Sequence, residues 1–105
     1  MEVNEIIKEF KEITQKIYGD RLSKVILYGS QARNEAKEDS DIDLLVVLKD
    51  EKISLLQEIR VLNKYVVDLI LKYDKPISFL PTTQDKFENY RSPLFFFIRK
   101  EGKEI

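Results

Sequence analysis

Two short features separated by a polar loop carry the chemistry open to this sequence. Gly29-Ser30 closes one apolar run, and Ser40-Asp41-Ile42-Asp43 opens the next. A Gly-Ser at a strand end leaves room for a phosphate, because glycine presents no side chain and successive backbone N–H groups can form an anion-binding nest. Ser30 adds a hydroxyl donor. Taken alone, the dipeptide reads as a polar turn after a strand. Asp41 and Asp43 stand one residue apart on a predicted strand, so a period of two sends both side chains to one side while Ile42 faces the other. Two converging carboxylates with no base between them repel unless a cation or a proton neutralises them. A divalent cation is the natural partner, although the pair alone also reads as solvated turn aspartates bonded to nearby backbone. In combination, the two features set a phosphate cradle beside a metal site, an arrangement suited to a nucleoside triphosphate.

Composition narrows the chemistry further. The 105 residues include 18 Lys+Arg and 19 Asp+Glu, a net charge of −1, and no Cys, His or Trp. A thiolate nucleophile, a disulfide framework, a Cys/His zinc site and a Ser-His-Asp triad are therefore excluded. Any metal must be held by oxygen, which favours Mg²⁺, Ca²⁺ or Mn²⁺. Near-balanced charge argues against a broad basic surface, so nucleic acid is not the expected partner. The longest apolar runs, Leu44–Leu48 and Leu94–Ile98, are too short to cross a bilayer, and Met1 is followed by acidic residues instead of a signal peptide. A soluble, cytoplasmic protein with one domain over residues 1–105 is expected.

The elements that must position these groups follow from periodicity. Val3, Ile6, Ile7, Phe10, Ile13 and Ile17 predict an amphipathic helix over Glu2–Tyr18, with Gly19 ending it. Lys24–Tyr28 reads as a strand. Residues 31–40 read as a helical turn and an exposed loop. Asp41–Leu48 becomes apolar on both faces after Asp43, the mark of a central strand covered on both sides. Asp50 is the expected N-cap of a long helix over Glu51–Tyr73, stopped by Lys75-Pro76. Ile77–Leu80 is a third strand closed by Pro81, followed by short helices over Thr83–Tyr90 and from Ser92-Pro93 to Gly102. This alternation predicts an α/β (α+β) fold, a small mixed sheet flanked by helices. Leu94–Ile98 is expected to close the core, with docking of a partner as the competing role. Tyr28 and Tyr90 carry no distinct expectation.

The run GSxAR…SDIDLLV, with ten residues between Ser30 and Asp41, resembles the DNA polymerase beta-like nucleotidyltransferase superfamily, and within it the stand-alone minimal nucleotidyltransferases. The sequence contains neither GxxxxGK[ST] nor GxGxxG. The resemblance spans nearly the whole chain, to a terminal helix ending in the Glu101-Gly102 pair. It implies ATP or another NTP as substrate, Mg²⁺ as cofactor, and a helical HEPN-domain toxin as partner, to which this chain is the antitoxin. It also implies that Gly29 and Ser30 hold phosphates, that Arg33 matches the motif arginine, and that Asp41 and Asp43 bind metal and carry catalysis. The activity it suggests is transfer of AMP to a hydroxyl of the partner, a tyrosine hydroxyl in the first instance. The oligomeric state is left open.

Two departures from the family pattern bear on that reading. Asn34 stands where glycine is usual, and asparagine enters the left-handed region readily. The family's third carboxylate comes from a later strand, and in Ile77-Ser78-Phe79-Leu80 the corresponding place holds Ser78. Asp68 would serve only if residues 65–71 were a strand. On a helix it lies four residues from Lys64 and Lys72 and is expected to pair with them at the surface. Asp74 is expected in a solvated turn. A binding-only antitoxin with weak or lost catalysis is therefore the alternative, and transfer to a small molecule such as an aminoglycoside is a third reading.

Overall fold

The computed structural model describes residues 2–36 and 40–105. The middle of the predicted exposed loop, residues 37–39, lies outside the described residues. In chain order the elements are α1 (Glu2–Tyr18), β1 (Leu22–Tyr28), β2 (Ile42–Leu48), α2 (Leu55–Tyr73), β3 (Ile77–Thr83), α3 (Gln84–Asn89), α4 (Pro93–Glu101) and β4 (Lys103–Glu104). Single 3-10 turns occupy Gly19–Arg21 and Gly29–Gln31. The sheet order is β3-β2-β1-β4, with β1 antiparallel to both neighbours and β2 parallel to β3. This is the expected mixed sheet flanked by helices.

The apolar run of β2 explains the layering. Ile42, Leu44, Val46 and Leu48 join Val25 and Leu27 of β1 in a cluster with Ile6, Phe10, Leu62, Val66 and Leu69 of α1 and α2. Leu45, Val47 and Ile26 face the other way and pack against Phe87, Phe95 and Ile98 of α3 and α4. With both faces of β2 buried, alternation disappears and a near-continuous hydrophobic run remains. Asp43, two residues before Leu45 on β2, therefore stands on the α4 side of the sheet.

Several boundaries differ from expectation for identifiable reasons. Strand β1 begins at Leu22, and β2 begins at Ile42, which leaves Asp41 just outside it. Helix α2 is capped by Ser54, whose hydroxyl accepts from the Gln57 N–H at 3.4 Å, and not by Asp50. Both residue types cap well. Asp50 is engaged instead by Arg21, at 3.0 Å. Strand β3 does not stop at Pro81 but continues to Thr83, with Val46 opposite Pro81. An edge strand tolerates proline where the missing N–H would have faced away from the sheet. The two-residue β4 has no counterpart in the sequence reading. It pairs Lys103 and Glu104 with Leu27 and Ile26.

At the other predicted boundaries the structure agrees. Gly19, at φ +55°, ends α1. Ser92 caps α4 through the Phe95 N–H at 3.1 Å, with Pro93 at its first turn and Gly102 following it. The block Leu94–Ile98 divides its roles: Phe95 and Ile98 are buried, while Leu94, Phe96 and Phe97 are 45%, 53% and 54% exposed. Among the described residues no helix is long and apolar enough to cross a membrane.

Candidate active site

Strand β1 delivers Tyr28, in register with Asp43 of β2, and the chain then enters the Gly29–Gln31 turn. Gly29 has φ +73°, and a Cβ built there would lie 2.5 Å from Asp43 Oδ2. Only glycine meets both conditions, since a side chain would be strained by the backbone and would displace the carboxylate. The two sequence features are thus brought into direct contact. The loop after them is closed by the Arg33 N–H donating to Gly29 O at 3.3 Å and the Glu35 N–H donating to Ser30 O at 3.0 Å. Asn34 occupies the left-handed region at φ +58°, as its residue type allows.

Electrostatics tie the acidic pair together. Burial first, and the charge of Asp41 second, hold the Asp43 carboxyl above the ordinary aspartate value, while Arg33 pulls it back down. Asp41 is exposed and Asp43 half-buried. Arg33 itself ion-pairs with Glu35 at 3.1 Å and with Glu101 at 3.5 Å. A cleft of about 450 Å³ adjoins the turn, lined by Tyr28, Gly29, Arg33, Leu94, Phe97, Ile98 and Glu101; of the predicted site residues it takes in Gly29 and Arg33, while Ser30, Asp41 and Asp43 lie outside its lining. Burial and the Asp43 charge push the Tyr28 hydroxyl upward, so it stays protonated at neutral pH.

The other acidic candidates do not join this site. Asp68 is an exposed residue of α2, and α2 packs on the face of the sheet opposite Asp43. Its expected pairing with Lys72 is replaced by a bond from Lys72 Nζ to Glu9 Oε1 of α1, at 2.6 Å, and Lys64 lies over the Tyr65 ring. Asp74 forms the left-handed C-cap of α2 at φ +53°, in the turn expected for it. Ser78 is the register partner of Asp43 on β3. Among the described residues no set of three acidic side chains could hold a metal.

Asp41, Asp43 and nearby backbone offer oxygen donors only. That fits a hard cation such as Mg²⁺, which commonly takes one or two carboxylates and completes its shell with water and substrate phosphates. Of the lining residues, Leu94 and Phe97 fall in the Leu94–Ile98 block, for which partner docking is the competing expectation, whereas Tyr28 and Glu101 carry no site expectation from the sequence. For Glu101 a signal existed: a carboxylate in the last turn of a helix opposes the macrodipole, which favours cations there.

Residues 6–101 match the family described as Nucleotidyltransferase domain. A Methanocaldococcus jannaschii protein named "Putative protein adenylyltransferase MJ0141" is 40% identical over 97 residues, covering 86% of this chain and 96% of that protein. A solved structure of a toxin-antitoxin with AMP-PNP superposes with a TM-score of 0.64 at 16% identity, over 92% of this chain and 70% of the other. A point mutant of the toxin-antitoxin MntA-HpeT gives 0.60 at 20% identity, over 97% and 69%. At these identities the superpositions establish the shared fold.

Proposed function

Because this chain belongs to the Nucleotidyltransferase domain family and is a nucleotidyltransferase, we propose that it transfers AMP from ATP to a hydroxyl of a partner protein, a HEPN-type toxin that it neutralises. The observation that carries this reading is the close approach of Gly29 to the Asp43 carboxylate, which sets the Gly29-Ser30 turn directly beside the acidic pair. The adenylyltransferase name of the Methanocaldococcus jannaschii relative supports AMP as the transferred group. The AMP-PNP and toxin-antitoxin descriptions of the solved structures support the nucleotide and the kind of partner.

In this reading the Gly29-Ser30 amides and the Ser30 hydroxyl receive phosphate oxygens, and Arg33 adds positive charge at the open side of the cleft. Asp41 and Asp43 would hold Mg²⁺. The chemistry supplied by that ion when bound is charge neutralisation at the triphosphate and acidification of the acceptor hydroxyl. The acceptor hydroxyl loses its proton to water, its oxygen forms a bond to the α-phosphorus, the bond from that phosphorus to the bridging oxygen breaks, and pyrophosphate leaves with AMP retained on the acceptor. Positioning within the cleft converts the encounter into an intramolecular one. The test uses ATP labelled at the α- or the γ-phosphate with the purified partner. Movement of α-label to protein is expected; movement of γ-label would indicate a kinase and overturn the reading.

A second reading rests on Ser78, the neutral register partner of Asp43. With two carboxylates in place of three, the chain would neutralise its partner by binding, with weak or no turnover. Co-expression of the toxin with the Asp41→Asn, Asp43→Asn double variant separates the two. Full rescue supports binding, and lost rescue supports chemistry.

A further inference from the structure

Glu101 stands where helix electrostatics would not place it. It is the last residue of α4, where a carboxylate faces the negative end of the macrodipole and Arg99 and Lys100 are the favoured types. Its place is set by close packing immediately after it. A Cβ at Gly102 would lie 2.5 Å from Ile26 Cγ2 and 2.6 Å from the Ile98 carbonyl oxygen, so the chain passes directly from α4 into β4 against β1. Glu101 is thereby held at the end of the cleft wall formed by Leu94, Phe97 and Ile98. Opposite it, the Arg33 backbone is bonded to Gly29 O, on the turn that meets Asp43.

The Arg33 side chain bridges these two walls, with Nε on Glu35 and Nη1 on Glu101. Glu35 belongs to the same loop as Arg33, so its bond orients the guanidinium only relative to that loop. Glu101 is the contact that ties Arg33 to the helix side of the cleft. A guanidinium has five N–H donors in a planar fork, so these two bonds leave further donors for a phosphate.

We propose that Glu101 is a positioning residue for nucleotide transfer: through its ion pair it holds Arg33 across the cleft so that the remaining guanidinium N–H groups meet the triphosphate received by the Gly29-Ser30 turn. This rests on the reading of the site given under Proposed function. Glu101 touches neither nucleotide nor acceptor; it acts through Arg33 alone. Removing it leaves Arg33 charged but free to swing into solvent with Glu35.

The test measures ATP affinity by calorimetry, KM and kcat for α-label transfer, and melting temperature, in wild type, Glu101→Ala, Glu101→Gln, Arg33→Ala and the Arg33→Ala, Glu101→Ala double variant. An exposed pair sets the scale of the effect. Glu101→Ala is expected to raise KM for ATP by roughly two- to fivefold with kcat nearly unchanged, and Glu101→Gln, which keeps a hydrogen-bond acceptor, by less. Arg33→Ala is expected to raise it further, and adding Glu101→Ala to Arg33→Ala is expected to change nothing more. ATP affinity in Glu101→Ala that equals or exceeds wild type overturns the proposal, since the carboxylate would then merely repel the triphosphate. An effect of Glu101→Ala that persists undiminished without Arg33 also overturns it. If wild type binds ATP and transfers α-label while the Glu101 variants behave as wild type, this inference alone falls. If no variant, wild type included, takes up ATP with Mg²⁺, the reading of the site falls and this inference with it.

Discussion

Asp43 on β2 and Ser78 on β3 are register partners on neighbouring parallel strands, and both stand on the face of the sheet covered by α4. Adjacent strands lie about 4.8 Å apart, so a carboxylate at position 78 would reach the space in front of Asp43. Ser78→Asp is therefore expected to lower the Kd for Mg²⁺ severalfold by adding a third oxygen ligand of full charge. Without metal the same change is expected to lower the melting temperature and push the Asp43 carboxyl further up, through like-charge repulsion. Calorimetric titration with Mg²⁺, paired with thermal melts in EDTA, checks both directions.

Gly29→Ala tests the contact on which the cradle depends. The substitution forces a non-glycine residue to φ +73° and places its Cβ 2.5 Å from Asp43 Oδ2. The backbone alone costs about 1–2 kcal/mol, and the carboxylate must also move. A lower urea midpoint with an unchanged m-value is expected, together with loss of ATP uptake in the presence of Mg²⁺.

Legibility in the sequence followed the range of the interaction that decides each element. Helix α1, the two-sided β2 and the Ser92-Pro93 start of α4 are written in local spacing; α1 and the start of α4 stand where that spacing put them, and β2 begins one residue later than expected, at Ile42. Asp50 and Ser54 are equally good caps by type. The choice between them is made by Arg21, 29 residues from Asp50 in the chain. Pro81 ends a strand only if both sides of that strand need N–H donors, and that β3 is an edge is a fact of topology. Strand β4 is two residues long and has no periodicity to read; Gly102 and the edge of β1 create it. Among the candidate site residues, Gly29, Ser30, Arg33 and the two aspartates were visible as expectations because motif and spacing are local. The Arg33–Glu101 pair was not, because it joins a loop to the far end of the last helix.

Asp43→Asn should stabilise the metal-free protein at neutral pH even as it removes α-label transfer. The folded carboxyl is held above the ordinary 3.8 by burial and by Asp41. The folded state therefore binds the proton more tightly than the unfolded state does. Stability from this group is fullest below 3.8 and falls as pH rises through the raised value. Asparagine has no such slope. The variant should melt higher than wild type at pH 7 in EDTA, and the gap should shrink as the pH falls through the raised folded value toward 3.8 and level off below that. A gap of constant size across that range would count against burial as the cause.

Tyr18→Phe addresses the opposite layer, far from the site. The Tyr18 hydroxyl donates to Glu58 Oε1 at 3.0 Å in a buried contact, Arg21 Nη2 reaches Glu58 Oε2 at 3.4 Å, and the Arg21 guanidinium lies 5.3 Å over the Tyr18 ring. Phenylalanine keeps the ring but leaves a buried carboxylate oxygen short of a donor, a loss of about 1–3 kcal/mol at neutral pH. Burial and the Glu58 charge push the Tyr18 hydroxyl well above its ordinary 10.0. As pH climbs past 10 the unfolded tyrosine ionises while the folded one keeps its proton, so this residue's contribution to wild-type stability declines there. The variant lacks that decline. Urea midpoints measured from pH 7 to 11 should show the difference between the two proteins constant up to about pH 9 and narrowing above it.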